Sequence, residues 1–525
     1  MPDQPTPAQS TSPLDATLIA GLRQDLVQAP YTVERIEEVL GVRAHAALHR
    51  DQPLLAEQVT RASNDPVATL VRCFVLGLPV TEAKLAAATP RTGLRGLADL
   101  ALITGASTGD DSDHPTESQR KATCDLRPYG DERHTWWIAS DLSASAIGGP
   151  LPTSHVLGVG GASTTLASWT PRINVDRALD LGTGCGVQAL HLAGHCASPV
   201  VVTDLSERAL AYARFTAALN EVDLEFRTGS LLEPVAGEEF DLIVSNPPFV
   251  ITPRGGDLPL YEYRDGGATG DALVADLVHE IGVHLRPGGI AQLLGNWELG
   301  SGEDWRERLS GWLEGTGLDA WVVQREEQDV AEYAETWARD GGQQAETADF
   351  RRLYAAWLAD FDARGIERVG FGIVTLQRPT ADRMPWLDLT EASSGPVASP
   401  MGPSVLAGLR ARTWLAEHTD DELLDVRWQV EQDVTEERIG RPGALDPQVI
   451  QVRQGGGLRR VVRLDTLAAG FVGACDGDLT ARQLCAGLAV LTQTTPETVQ
   501  AQVLAVVRDL AKDGLLRAAA PSPAD

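Results

Sequence analysis

Apolar positions along the 525-residue chain follow a helical period first and a strand-and-helix alternation later. Leu18, Leu22 and Leu26 share one helical face, and Ile36, Val39 and Leu40 form a second stripe that stops at Gly41. Asp65 reads as a helix cap with Pro66 at the first helical position, Leu70, Val71, Phe74 and Val75 inside, and Gly77 past the end. Thr81 opens another helix, Glu82 to Ala88. The pattern predicts a small helical domain over residues 14–104 behind a disordered tail, 1–13. Residues 105–154 read as a linker followed by a small β element. Its strands, Thr123 to Arg127 and Trp136 to Ser140, would pair around Pro128-Tyr129-Gly130.

Between residues 155 and 378 strand and helix patterns alternate, which predicts an α/β fold with a parallel sheet covered on both faces. The strands are Arg177 to Leu181, Val200 to Thr203, Leu224 to Arg227, Leu242 to Val244 and Ile290 to Leu294. Helices fit between them at Val187 to Ala193, Glu207 to Leu219 and Ala272 to His284. After Trp297 the alternation breaks: strands Trp321 to Arg325 and Val369 to Leu376 flank a helical insertion, Asp329 to Ala363. A long insertion near a carboxyl edge suits a lid or substrate platform. Pro, Ser and Gly dominate 379–403, read as a linker, before a third unit, 404–517, and a tail, 518–525. In that unit Thr480 and Gln483 fit a capping box and Thr495-Pro496 starts a helix whose inner face is Val499, Val503, Val506 and Leu510. Strand, short helix and long helix in that order give a winged-helix-like α+β domain.

Composition narrows the chemistry. The chain carries 44 Lys and Arg against 73 Asp and Glu, a net charge of −29, which disfavours non-specific binding to nucleic acid or to a membrane surface. Its six cysteines are scattered with no C-x-x-C pair, as in a reduced cytosolic protein without a zinc site. No signal peptide or membrane-spanning run is evident, so the expected location is the cytoplasm and no membrane partner is expected. The histidines His134, His155, His279 and His284 show no metal-ligand spacing, and no metal site is expected.

Two places carry chemistry. Asp180-Leu-Gly182-Thr-Gly184-Cys-Gly186 follows the first strand; its glycines permit a tight turn and a ligand close to the next helix N-terminus. A dinucleotide fingerprint would continue with glycine at position 187, where Val187 stands, so a nucleoside without a pyrophosphate fits better. Asp204, ending the second strand, suits ribose hydroxyls. The second place is Asn246-Pro247-Pro248-Phe249 at the end of the fourth strand. Two prolines force a stiff bend that groups an amide side chain, carbonyls and an aromatic ring, a cradle for a planar nitrogen group.

Together these motifs make residues 155–378 resemble a class I S-adenosylmethionine-dependent methyltransferase of the HemK/PrmC type, the glutamine N-methyltransferases, with a Rossmann-like sheet. Tyr263-Arg-Asp-Gly266-Gly267-Ala-Thr-Gly270-Asp271 also resembles that family's glycine-rich stretch after its Asn-Pro-Pro motif. The resemblance implies S-adenosylmethionine as cofactor, with Asp180, Gly182, Gly184 and Gly186 at its methionine end and Asp204 at its ribose. Ser230 stands where the family commonly places an acidic residue for the adenine amino group. Asn246 and the Pro247 carbonyl would take the N–H groups of the target while Phe249 stacks on it, and Pro248 stiffens the bend. No strong general base is needed, because nitrogen can lose its proton after the methyl has bonded.

The implied function is N-methylation of a planar amide or amine, first a protein glutamine, with a translation factor as the partner the family suggests. The alternative is an rRNA or tRNA base (guanine-N2 or adenine-N6), with structured RNA as partner. A third reading is an inactive methyltransferase-like binding module. His155 to Thr165, just before the glycine strand, is a segment suited to closing over the site or to turning between domains. The flanking domains lie outside the resemblance.

Overall fold

The computed structural model describes residues 14–105, 118–255, 258–342, 347–392, 395–443 and 446–519. The expected tail 1–13, nearly all of the loop 105–117 and residues 520–525 lie outside them. The chain divides into two compact units: one ends at Ala167 and resumes over Asn174–Thr316 and Glu327–Gly372, and the other takes Ser168–Ile173, Gly317–Glu326 and Ile373–Asp525.

The first unit is built on a parallel sheet of β1 (Ala178–Leu181), β2 (Val200–Asp204), β3 (Leu224–Thr228), β4 (Phe240–Ser245) and β5 (Leu285–Gly300). Their order is β3-β2-β1-β4-β5, every neighbouring pair parallel. β1 is buried at all of its residues, as expected of a central strand covered on both faces. The order reverses beside β1, so the crevice at the carboxyl ends of β1, β2 and β4 is where an open α/β sheet binds ligands. Helices α1 (Val187–Ala193), α2 (Glu207–Leu219) and α3 (Ala272–Glu280) lie where the apolar period places them. The expected continuation of α3 to His284 tightens into a 3₁₀ turn, Ile281–His284.

The amino-terminal helices do not form a separate core. Leu22, Leu26, Phe74 and Leu97 pack in one cluster with Leu190 of α1 and Tyr212, Phe215 and Leu219 of α2. Gly41 interrupts the Val33–Leu48 helix at φ +72°, and the helix begun by Pro66 widens into a π turn at Val71–Val75. Strand Gln119–Ala122 returns from beyond the expected loop to pair with Ile103–Gly105 and Val80–Thr81. The expected hairpin forms as Asp125–Gly130 with Thr135–Ser140, but Pro128 pairs with Trp137 and the turn falls at Asp131–His134. Asp131 Oδ1 accepts from the amides of Arg133 and His134, a local closure that Pro128 lacks. The hairpin's free edge meets α2: Asn220 accepts from the Trp137 amide and donates to its carbonyl, and Thr216 accepts from the Ala139 amide.

The insertion in this unit forms two helices, Val330–Asp340 and Ala348–Arg364. Tyr333, Leu353, Trp357 and Phe361 make a core with Val250 and Ile251, the residues directly after the Asn-Pro-Pro-Phe bend.

In the second unit, strand Leu387–Glu391 lies inside the stretch expected as a linker and pairs in parallel with Ala320–Gln324. Its further elements include helices Gly402–Glu417 and Thr466–Gly473, the capping-box helix Ala481–Thr492 and helix Pro496–Ala511. Strands Asp476–Thr480, Arg427–Val430 and Leu516–Ala518 form one antiparallel sheet, and Val434–Ile439, Val449–Gln454 and Val461–Leu464 another. Among the described residues no helix is long and apolar enough to cross a membrane.

Candidate active site

A cavity of about 210 Å³ opens at the carboxyl ends of β1, β2 and β4, within the first unit. Gly182, Gly184, Asp204, Ser230, Asn246 and Pro248 line it, so the structure gathers six of the expected site residues around one space. Asp180, Gly186, Pro247 and Phe249 are not among its lining residues.

The glycine turn makes the floor. Gly182 and Gly184 have φ of +73° and +56°, where side chains are strained, and a Cβ at either would meet nothing within 4 Å. The space a side chain would fill is therefore left for a ligand. Asp180 sits beneath, 1% exposed; its Oδ2 accepts from the Thr183 hydroxyl at 2.6 Å and the Ala189 amide at 3.0 Å. It braces the turn onto the start of α1. Burial pushes its carboxyl up to about 7, against the lowering effect of those two donors.

Asp204 closes the next side. Its Oδ2 accepts from the Gly184 amide and its Oδ1 from the Ser206 amide, both at 2.9 Å, and each oxygen keeps a lone pair for a ligand hydroxyl. Burial raises its carboxyl above the ordinary range. Ser230 lies between Gly229 and Leu231; Leu231 also lines the cavity and is held at φ +44°, a strained value for a branched residue.

At the far side Ser245 donates to the Leu181 carbonyl at 2.8 Å and ties β4 to β1 just before the bend. Asn246 Oδ1 is enclosed and has no hydrogen-bond partner. The Pro247 carbonyl accepts from the Phe249 amide at 2.7 Å, which leaves one lone pair for another donor. The Phe249 ring packs edge-on to Trp337 of the insertion, with centroids 6.2 Å apart, rather than lining the cavity.

The segment after the linker also reaches the site. His155, Val156, Leu157, Gly158 and Ser163 line the cavity, and Ser163 O accepts from Gln188 Nε2 at 2.9 Å. Asp141 holds this segment by accepting from the Val156 amide at 2.8 Å while it pairs with Arg208 and accepts from the Tyr212 hydroxyl. His155 is buried against the Tyr263 ring, and burial lowers its pKa. Lining residues that the motifs did not single out include Gln188, Thr203, Glu262, Leu231 and Leu273. For Gln188 the signal was its place in the first turn after the glycines, whereas nothing local marks Leu231.

An open glycine turn, a carboxylate and an amide side chain thus face one cavity. Residues 158–311 match the methyltransferase small domain. Residues 28–113 and 407–518 match two domains of unknown function, DUF7059 and DUF7782. The chain is similar to a release factor glutamine methyltransferase of Deinococcus radiodurans, 42% identical over 129 residues, which is 22% of this chain and 45% of that protein. A release factor glutamine methyltransferase of Xylella fastidiosa is 38% identical over 135 residues, 24% of this chain and 48% of that one. The chain thus spans about half the length of these relatives. Among solved structures, the T. thermophilus 16S rRNA methyltransferase RsmC bound to AdoMet and guanosine covers 55% of this chain and 62% of its own. It is 14% identical, with a TM-score of 0.28.

Proposed function

We propose that this protein transfers a methyl group from S-adenosylmethionine to a planar amide nitrogen, and that the acceptor is a glutamine side chain of a protein, in keeping with the named activity of its relatives. A translation factor is the corresponding partner. The observation that carries the reading is the enclosed, unpartnered Asn246 Oδ1 in the same cavity as the open glycine turn. A buried acceptor left unpaired costs about 1–3 kcal/mol, and an N–H donor on the ligand relieves that cost.

The residues fit the cofactor. Gly182 and Gly184 leave room against the backbone for its methionine end, Asp204 keeps lone pairs for its ribose, and Ser230 with Leu231 borders the place for its base. When bound, S-adenosylmethionine supplies the methyl group. The remaining work belongs to the bend. An amide nitrogen has its lone pair conjugated with the carbonyl, so it attacks poorly until held. An N–H bond to Asn246 Oδ1 orients the nitrogen and favours its pyramidal geometry, while the Pro247 carbonyl, which accepts from the Phe249 amide and is not among the cavity's lining residues, holds the bend. The packing of Phe249 against Trp337 gives that ring a supporting role, fixing the bend rather than stacking on the acceptor.

The winged-helix reading of residues 404–517 is likewise a proposal. It is supported by the succession of helix Thr466–Gly473, strand Asp476–Thr480, helices Ala481–Thr492 and Pro496–Ala511, and strand Leu516–Ala518.

The test is incubation with labelled S-adenosylmethionine and host lysate, followed by protease or nuclease. Label removed by protease is expected; label removed by nuclease alone would replace the protein acceptor with a nucleobase. Asn246→Ala is expected to lower transfer at least about 100-fold with cofactor affinity retained. A native protein that does not bind S-adenosylmethionine in calorimetry would overturn the enzyme reading.

A further inference from the structure

The cavity holds a second orphan on the acceptor side. Asp265 lines it, its side chain is only 3% exposed, and its Oδ2 is enclosed without a hydrogen-bond partner. Its other oxygen is engaged: Oδ1 accepts from the Gly267 amide at 3.0 Å and is ion-paired with Arg254 Nη2 at 2.7 Å. A buried carboxylate oxygen left unpaired is more costly than a neutral one, so Oδ2 calls for a donor.

Backbone geometry assigns Asp265 to the half of the cavity that holds Asn246. It forms a β-bridge with Phe249, and the Val250 amide donates to the Arg264 carbonyl at 3.0 Å. Gly266 packs so closely that a Cβ would lie 3.0 Å from the Pro248 carbonyl oxygen and 2.1 Å from Leu273 Cδ1. The turn carrying Asp265 is thereby clamped onto the Asn-Pro-Pro bend. Thr203 Oγ1 is also enclosed and unpaired, but it belongs to β2, beside Asp204 and the glycine turn.

We propose that Asp265 Oδ2 is an acceptor for an N–H of the methyl-accepting amide and makes the site select a primary amide. This rests on the amide reading above. A primary amide carries two N–H donors on one nitrogen, and Asn246 Oδ1 with Asp265 Oδ2 offers two enclosed acceptors in one cavity. A secondary amide has one N–H and leaves one acceptor buried and unsatisfied. The pair thus favours the substrate over its own N-methylated product. It also stops the reaction after one methyl.

The probe is N-acetylglutamine amide, titrated into the full-length protein saturated with S-adenosylhomocysteine, beside the same compound methylated on its side-chain nitrogen. The native protein is expected to bind the primary amide at least tenfold more tightly than the methylated one. Asp265→Asn keeps an oxygen for Gly267 and Arg254 but turns an N–H₂ toward the ligand; it is expected to lose that preference while its cofactor affinity stays within about threefold of native. Arg254→Ala removes one partner of Oδ1, keeps the Gly267 amide on it and leaves Oδ2 in place, so it is expected to keep the preference. Equal preference in native protein and Asp265→Asn, or equal loss in Asp265→Asn and Arg254→Ala, would overturn the proposal and leave the amide reading standing. Failure of native protein to bind either amide would overturn both.

Discussion

At the scale of single residues, two polar side chains of the central motifs have opposite fates. Asn246 keeps its oxygen unpaired beside a cavity, whereas Asp180 spends its buried carboxylate on the Thr183 hydroxyl and the Ala189 amide. The resemblance places Asp180 at the methionine end of the cofactor; in the structure it braces the glycine turn onto the start of α1. Its folded carboxyl titrates near 7 instead of 3.8 because burial penalises its charge. The neutral form is thus favoured by folding, so the stabilising share of this group is complete below its unfolded value and is lost as pH rises through 7. Relative to Asp180→Asn, the native protein is expected to lose stability between pH 4.5 and 7.5, by at most roughly 4 kcal/mol. Thermal midpoints of the two proteins across that range check it, and a gap that moves the other way would refute the assignment.

At the scale of elements, the insertion holds the bend by its backbone. Ile251 is 1% exposed; its amide donates to the Tyr333 hydroxyl at 2.8 Å and its carbonyl accepts from Trp357 Nε1 at 2.7 Å. The Tyr333 hydroxyl also accepts from Asn296 of β5 at 2.8 Å, so the insertion, the sheet and the residues after Asn-Pro-Pro-Phe meet at one oxygen. Trp357→Phe keeps most of the ring volume and strands the Ile251 carbonyl, a cost of about 1–3 kcal/mol. It is expected to raise KM for the acceptor several-fold with little change in cofactor affinity. Calorimetry for the cofactor beside steady-state transfer assays separates the two effects, and equal losses in both would assign Trp357 to general stability.

At the scale of the whole molecule, the first unit joins its amino-terminal helices to α1 and α2, the helices beside the sheet, through one core. Tyr212, Phe215 and Leu219 on α2 are fully buried in the cluster that Leu22, Leu26 and Phe74 share. Each large side chain of that kind contributes about 1.5–3 kcal/mol when buried. Removal of residues 14–140 would uncover that face of α2 together with the polar groups of Asn220 and Thr216 that pair with the hairpin. The shortened protein is expected to aggregate or to melt well below the full chain; a monomeric product with an unchanged midpoint and intact cofactor affinity would show the sheet to be independent. The helical domain is therefore better viewed as half of a shared core than as an appendage.

Much of this was legible in the chain because its signals are local. Glycines after a strand, prolines at a strand end and apolar residues at period 3.6 act through backbone sterics and near-neighbour burial, and they located β1 to β4, α1, α2 and the Asn246 bend within a residue or two. The hairpin turn departs from the expected Pro128-Tyr129-Gly130 because Pro128 tolerates an edge position, while the hydrogen bonds that close the turn belong to Asp131. No local pattern marks strand Leu387–Glu391 inside its Pro- and Ser-rich stretch, because its pairing with Ala320–Gln324 is a long-range choice. By itself, then, the sequence determined the sheet, the glycine turn and the stiff Asn-Pro-Pro bend at the end of β4. Only the tertiary structure decided that Asp180 braces rather than lines, that Phe249 turns to Trp337, and that Asp265 lines the same cavity as Asn246 with an oxygen to spare. Those outcomes depend on which distant side chains compete for the same buried donors and the same space, and no local pattern encodes that competition.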